Sequence, residues 1–208
     1  MKKKFAVLII MLIVVSNIAV VNAEEVSKPD LATTRGGGTI TLDIPVYIQP
    51  KNSDMCGPTC CKMILEHFGV KKRLDNICTE MKNMPDRDYT HIDAVRGMLN
   101  RYVPGNHYTK KFVDGNFYSD ITSGIDSGYP IVCQLKTTAL PAYKGHTYTH
   151  YVVTEGYTWA QGGSAGGMMR IHYVDPHYEP EYSGRNYCSF EEMKTAIMDY
   201  YGLYVIGK

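Results

Sequence analysis

The chain lacks an excess of charge of either sign. Its 208 residues carry 22 Lys and Arg against 21 Asp and Glu, whereas a nucleic-acid surface needs a marked basic excess. Residues 1–23 hold three lysines and no acid. Without them the balance is 19 basic to 21 acidic residues, a net charge of about −2, further still from such a footprint. After residue 23 no apolar run is long enough to span a bilayer, so stable membrane insertion is not expected of the rest of the chain. No internal repeat or long low-complexity tract is present, which excludes a repeat array. No second cysteine pair answers the C-x3-C-C of Cys56, Cys60 and Cys61. Structural zinc takes paired ligands, so neither a metal nor a cofactor is expected.

The one long apolar run lies at the N-terminus. Lys2, Lys3 and Lys4 precede Phe5 to Val21, which only Ser16 and Asn17 interrupt. Val21-Asn22-Ala23 has the small-residue form of a cleavage site, and Glu24 and Glu25 follow at once. This layout predicts a signal peptide over residues 1–23 and a secreted product. An uncleaved anchor is the competing reading, because the run is close to the length of a membrane span. No cysteine follows the cleavage site, which argues against a lipoprotein. Residues 24–38 are polar and lack apolar periodicity, so they read as a flexible leader, "RGGG" included. One domain is expected over 39–208, long enough for a real core.

Helical signals gather in the first half of that domain. Cys56 to Phe68 places apolar residues at helical spacing and ends at Gly69. "RLDNICTEMKNM" predicts a second helix stopped by Pro85. "THIDAVRGMLNRYV" predicts a third, with Thr90 as N-cap and Asp93 completing a capping box. "NFYSDITSGIDSG" is a weaker fourth because of Gly124. Strand signals then take over: "YPIVCQLKT", "HYVVTEGYTW" and "MMRIHYVDPHY", the last two joined by the glycine-rich "AQGGSAGG". "SFEEMKTAIMDYYG" predicts a late helix with Ser189 and Glu192 as its capping box, and "LYVIGK" a final strand. Upstream, "TITLDIPVYIQ" alternates like an extended segment. The class is α+β.

The cysteines pose the chemical question. A secreted chain with six Cys has the means to form bridges, and one from Cys60 or Cys61 to Cys78 fits the spacing, but sequence leaves the connectivity open. Cys56, at the head of its helix, is the candidate nucleophile. A helix dipole favours an anion by only about 0.3–1 kcal/mol, less than one pKa unit. A histidine held against the sulfur does far more, bringing a thiol down to about 3–4. Of the seven histidines, His150 opens a β-branched run, and a strand is a rigid mount for a base. His146 is set in a Gly-flanked loop, and His67, His172 and His177 read as bystanders. Asp175 ends the strand that a hairpin brings beside His150, so it is the candidate orienter. Gln49, in the extended segment ahead of Cys56, is the candidate oxyanion donor alongside the Cys56 backbone N–H.

This order resembles the papain-like cysteine peptidases of the bacteriocin-leader-processing, double-glycine type. Gln49 comes first, then "CGPT…MILEHFG", then "HYVVTEGY" and "VDP". The resemblance runs from about Ile44 to Pro176. It implies a papain-like fold with a helical lobe carrying the Cys and an antiparallel sheet carrying the His and Asp. It implies Cys56 as nucleophile, His150 as base, Asp175 as orienter and Gln49 in the oxyanion hole. The partner implied is a peptide or protein substrate. Leader-processing enzymes are usually cytosolic domains of transporters, whereas this chain has a signal-like N-terminus, so the double-glycine preference does not carry over. A secreted peptidase or amide hydrolase is therefore expected. A non-catalytic binding module on the same scaffold and a transpeptidase using the same residues are the alternatives. A free Cys56 that alkylates quickly separates an enzyme from a module; a bridged Cys56 does not fit an enzyme.

Overall fold

The structure is a computed structural model, and it describes residues 38–83, 91–105, 107–159 and 170–208. The expected signal peptide, nearly all of the leader, Thr90 and the glycine-rich connection "AQGGSAGG" lie outside the described residues. Among the described residues no helix is long and apolar enough to cross a membrane.

The spine of the fold is one long strand, β4 (Thr149–Trp159). Its first half pairs antiparallel with β3 (Ile131–Lys136), and its second half pairs with β1 (Gly38–Thr41). On the other side it pairs with β5 (Arg170–Asp175), which pairs with β6 (Gly184–Ser189). Beyond β3 come β7 (Leu203–Ile206) and β2 (Thr109–Phe112). Every pairing is antiparallel. The run Tyr151–Val153 reads as consecutive buried residues because both sheet faces are covered.

Among the described residues five α-helices pack around this sheet. The helix α1 (Cys56–His67) lies against β4 and also packs on α2 (Leu74–Lys82) and α3 (Ile92–Tyr102). Its Cys60, Cys61, Met63, Ile64 and Leu65 are fully buried. Gly69 takes φ +76° just beyond its end, a left-handed turn that glycine adopts without strain. The helix α4 (Phe117–Asp126) forms in spite of Gly124. A Cβ there would come 3.3–3.4 Å from Ile131 and Ile206, so the missing side chain lets the helix approach the sheet. The last helix is α5 (Phe190–Met198), which carries the expected Ser189–Glu192 capping box.

Two local expectations are corrected, and two strands without a sequence signal are added. The cap of α3 is His91, whose Nδ1 accepts the Asp93 N–H at 3.2 Å, in place of Thr90. The strands β2 and β6 carried no strong alternating signal, and both are short and half exposed. Disulfides are absent: all six cysteines are free. Five are buried as small apolar side chains, and Cys61 Sγ faces the Val95 carbonyl at 3.9 Å.

The segment from Leu42 to Gln49 carries no ladder of its own, yet it is tied down at several points. Leu42 N–H donates to the Glu155 carbonyl at 2.7 Å, at a β-bulge where the β4–β5 register shifts between Thr154 and Gly156. Arg185 bridges Glu155 Oε1 at 3.2 Å and the Ile44 carbonyl at 2.8 Å. Burial pushes the Glu155 carboxyl up to about 7 against the pull of Arg185. Gln49 N–H donates to the Pro176 carbonyl at 2.7 Å, which docks this segment beside the end of β5.

Gly156 of β4 pairs with Thr41 of β1. A Cβ there would meet the Ile40 carbonyl at 2.3 Å and Thr41 Cα at 2.9 Å, both backbone atoms with no rotamer to yield. Gly156→Ala should therefore lower stability by about 1–3 kcal/mol. A urea midpoint unchanged from wild type would show that β1 does not hold this register.

Candidate active site

Cys56 is the first residue of α1 and is half-buried. Met55, before it, makes no side-chain cap, so the first-turn N–H groups, Cys56 among them, have no intrahelical acceptor. The turn from Gln49 to Cys56 passes through Asn52 at φ +55°, a left-handed conformation that Asn tolerates. That turn folds Gln49 back beside Cys56, and both line one cleft of about 600 Å³ together with His150.

Gln49 is buried, and its Nε2 donates to the Ser53 carbonyl at 3.2 Å. That contact fixes which way the amide points and leaves a second N–H on the same nitrogen. His150 enters from the second residue of β4, opposite Leu135 of β3. Its Nε2 lies 2.8 Å from Asp175 Oδ1, and the Cys56 side chain is near enough to help raise the pKa of the imidazole. With Nε2 engaged by the carboxylate, Nδ1 is the nitrogen left for sulfur.

Asp175, the last residue of β5, has no solvent exposure at all. Besides His150 it receives Tyr143 Oη on Oδ2 at 2.8 Å and the His177 backbone N–H on Oδ1 at 2.9 Å. A buried carboxylate survives only with such partners. Tyr143 stands in a short 3-10 turn, Pro141–Tyr143, and burial with the neighbouring Asp175 charge pushes its phenol far up, so it stays a donor. Burial alone would push His150 down. The charge and hydrogen bond of Asp175, aided by Cys56, outweigh it and hold the imidazole up at about 10.

The other thiols are unsuited to attack. Burial pushes Cys60 and Cys61 far up, and Cys133 to about 12. The remaining histidines divide into bystanders and one exception. His67 bridges the carbonyls of Asp43 and Gly128 at 3.0 and 3.2 Å, His172 pairs with Thr158 Oγ1 at 2.7 Å, and His146 is exposed in its loop. His177 is the exception: it is buried and lines the cleft, with its ring 5.4 Å from that of His150. Sequence reasoning passed over it and over Tyr143. The adjacency of His177 to Asp175 was a usable signal for the first; nothing local marks the second.

The arrangement therefore brings together a thiol, a positively biased imidazole and a hydrogen-bonded carboxylate, and Gln49 lines the same cleft as the thiol. Comparisons with known proteins bear on the family and the fold. The pattern of the Peptidase_C39 like family matches residues 41–202. A protein of Bacillus anthracis assigned as a C39-like peptidase shares the fold, with a TM-score of 0.56 at 16% identity, covering 82% of this chain and 98% of that one. A double-glycine-motif protease from an AMS/PCAT transporter, solved with its leader peptide, aligns at a TM-score of 0.48 and 16% identity over 85% and 96% of the two chains. The peptidase domain of Streptococcus ComA, a bifunctional ABC transporter of a quorum-sensing pathway, aligns at 0.47 and 14% over 77% and 95%. No curated protein matches the chain in sequence.

The raised His150 has a thermodynamic consequence. A group held above its ordinary 6.5 stabilises the fold fully below that pH and loses the contribution as pH rises through about 10. Asp175→Asn should therefore cost most, about 3–5 kcal/mol, between pH 5 and about 6.5. Its cost should shrink towards pH 10, where His150 is losing its proton in wild type. Urea unfolding of both proteins across that range measures the difference. A cost that is constant or grows with pH would contradict the ion pair.

Proposed function

Because the chain belongs to the peptidase C39-like family, a family of cysteine peptidases, we propose that it hydrolyses a peptide bond through Cys56, His150, Asp175 and Gln49. The observation that carries this reading is His150, held between the Cys56 side chain and a carboxylate that water cannot reach. In the first step Cys56 sulfur attacks the scissile carbonyl carbon as thiolate. A C–S bond forms, and the carbonyl π electrons move to oxygen. Gln49 Nε2–H and the Cys56 backbone N–H donate to that oxyanion. The C–N bond then breaks, and the His150 imidazolium gives its proton to the departing nitrogen. Neutral His150 next takes a proton from water, whose oxygen attacks the thioester. The C–S bond breaks, the acid is released, and the thiolate faces an imidazolium again. Asp175 keeps its charge throughout and orients the ring.

The substrate is proposed to be a peptide or protein segment without strong charge at the cut. Among the described residues lining the cleft there is no Lys or Arg, and Asp54 is the one carboxylate; Tyr148, Tyr151, Tyr178 and Tyr200 form much of the wall. Secretion is part of the proposal and rests on the basic head, apolar run and small-residue site of residues 1–23.

Incubating the protein with a peptide library and reading the cut sites by mass spectrometry tests the activity. Cys56→Ala should abolish cleavage, and Gln49→Ala should lower kcat by about 10²–10³ while sparing the fold. Iodoacetamide should modify Cys56 ahead of the five buried thiols, and His150→Ala should slow that reaction at pH 6. Cleavage that survives Cys56→Ala, or alkylation indifferent to His150, would sink the proposed chemistry.

A further inference from the structure

His177 is a second histidine in the cleft, and nothing in the proposed reaction uses its side chain. It is 2% exposed, and it lines the same cavity as Cys56, Gln49 and His150. Its tautomer is set from the backbone. The Glu179 N–H donates to Nδ1 at 3.1 Å, so in the neutral ring the proton must be on Nε2. Among the described residues the ring's hydrogen bond to protein is the one at Nδ1, and the side chain lines the cleft.

The ring is also held rigidly. Its own backbone N–H is bonded to Asp175 Oδ1, and the imidazole stacks on Tyr178 at 4.7 Å with an interplanar angle of 21°. Tyr148 closes from another side at 5.0 Å. Burial and the neighbouring His150 charge push its pKa down, and Asp175, Glu179 and Glu181 oppose this without reversing it. While His150 carries the proton, His177 stays an uncharged donor. A fixed, neutral N–H in a cleft wall is a ready partner for a carbonyl oxygen.

We propose that His177 Nε2–H binds the carbonyl oxygen of the substrate residue on the leaving side of the scissile bond. The side follows from its neighbour. His150 must reach the departing nitrogen, and the His177 ring centroid is 5.4 Å from that of His150. An oxygen bonded to His177 is thus within one residue of the atom that His150 protonates, and the carbonyl of the departing residue meets that requirement. The substrate class is thereby narrowed to true peptides, with a carbonyl on both sides of the cut. This inference rests on the peptidase reading.

The test compares two substrates: an internally quenched peptide that wild type cleaves, and its acyl segment ending in a 4-nitroanilide, which has no carbonyl on the leaving side. His177→Phe keeps an aromatic ring but removes the donor. It should lower kcat/KM for the peptide about tenfold or more and change the anilide by no more than about twofold. His177→Gln, whose amide reaches the place of Nε2, should recover most of the peptide activity. Should the Phe variant fail to fold, His177→Asn takes its place, since its amide falls short of that position. An equal loss on both substrates, or no loss on the peptide, overturns the role of His177 and leaves the peptidase reading intact. A wild type that cleaves no peptide of the library, so that no such substrate exists, overturns both.

Discussion

A carboxylate with no solvent exposure governs the architecture of this protein. Asp175 is buried without exposure and keeps its place through the His150 ring, the Tyr143 hydroxyl and the His177 backbone N–H. Each donor comes from a different part of the chain: the start of β4, a 3-10 turn after β3, and the loop after β5. Burying a charge is expensive unless every lone pair is met. The positions of those three segments are therefore coupled to one another through a single side chain. The imidazole is ordered from behind by this network, which is what a base beside a thiol requires.

The long strand β4 translates that local requirement into a fold. Its first half carries His150 and pairs with β3, and its second half pairs with β1 across the close contact at Gly156. The β-bulge at Glu155 lies between them, and Arg185 uses it to clasp the segment that leads to Gln49. Packing of α1 on the same strand delivers Cys56 from the other side. The proposed nucleophile, base and oxyanion donor thus all refer to one rigid element, and small errors in register would move them together.

Much of this was legible before the structure. The helical periodicity after Cys56, the glycine that stops it, the capping box of α5 and the β-branched runs of β3, β4 and β5 are local signals, and they locate their elements. Gln49, Cys56, His150 and Asp175 were chosen by their places on those elements and by a resemblance in their order, and the fold brings all four to one site. The disulfides did not follow, because an even count of cysteines in a secreted-type chain says nothing about whether their side chains face each other; here five fill core positions. The strands β2 and β6 escaped notice because half-exposed strands carry polar residues on both faces.

Periodicity and turn residues along the chain determined its α+β class and the order of its five helices and of β3, β4, β5 and β7 among the described residues, since each depends on near neighbours. Only the tertiary structure decided that Tyr143, 32 residues from Asp175, would complete the carboxylate's shell. It alone decided that His177, read as a bystander, would present a donor to the cleft. The physical reason is that a hydrogen bond depends on distance and direction in space. Those are set by how the strands pair and how the helix lies on them, and no local pattern encodes either.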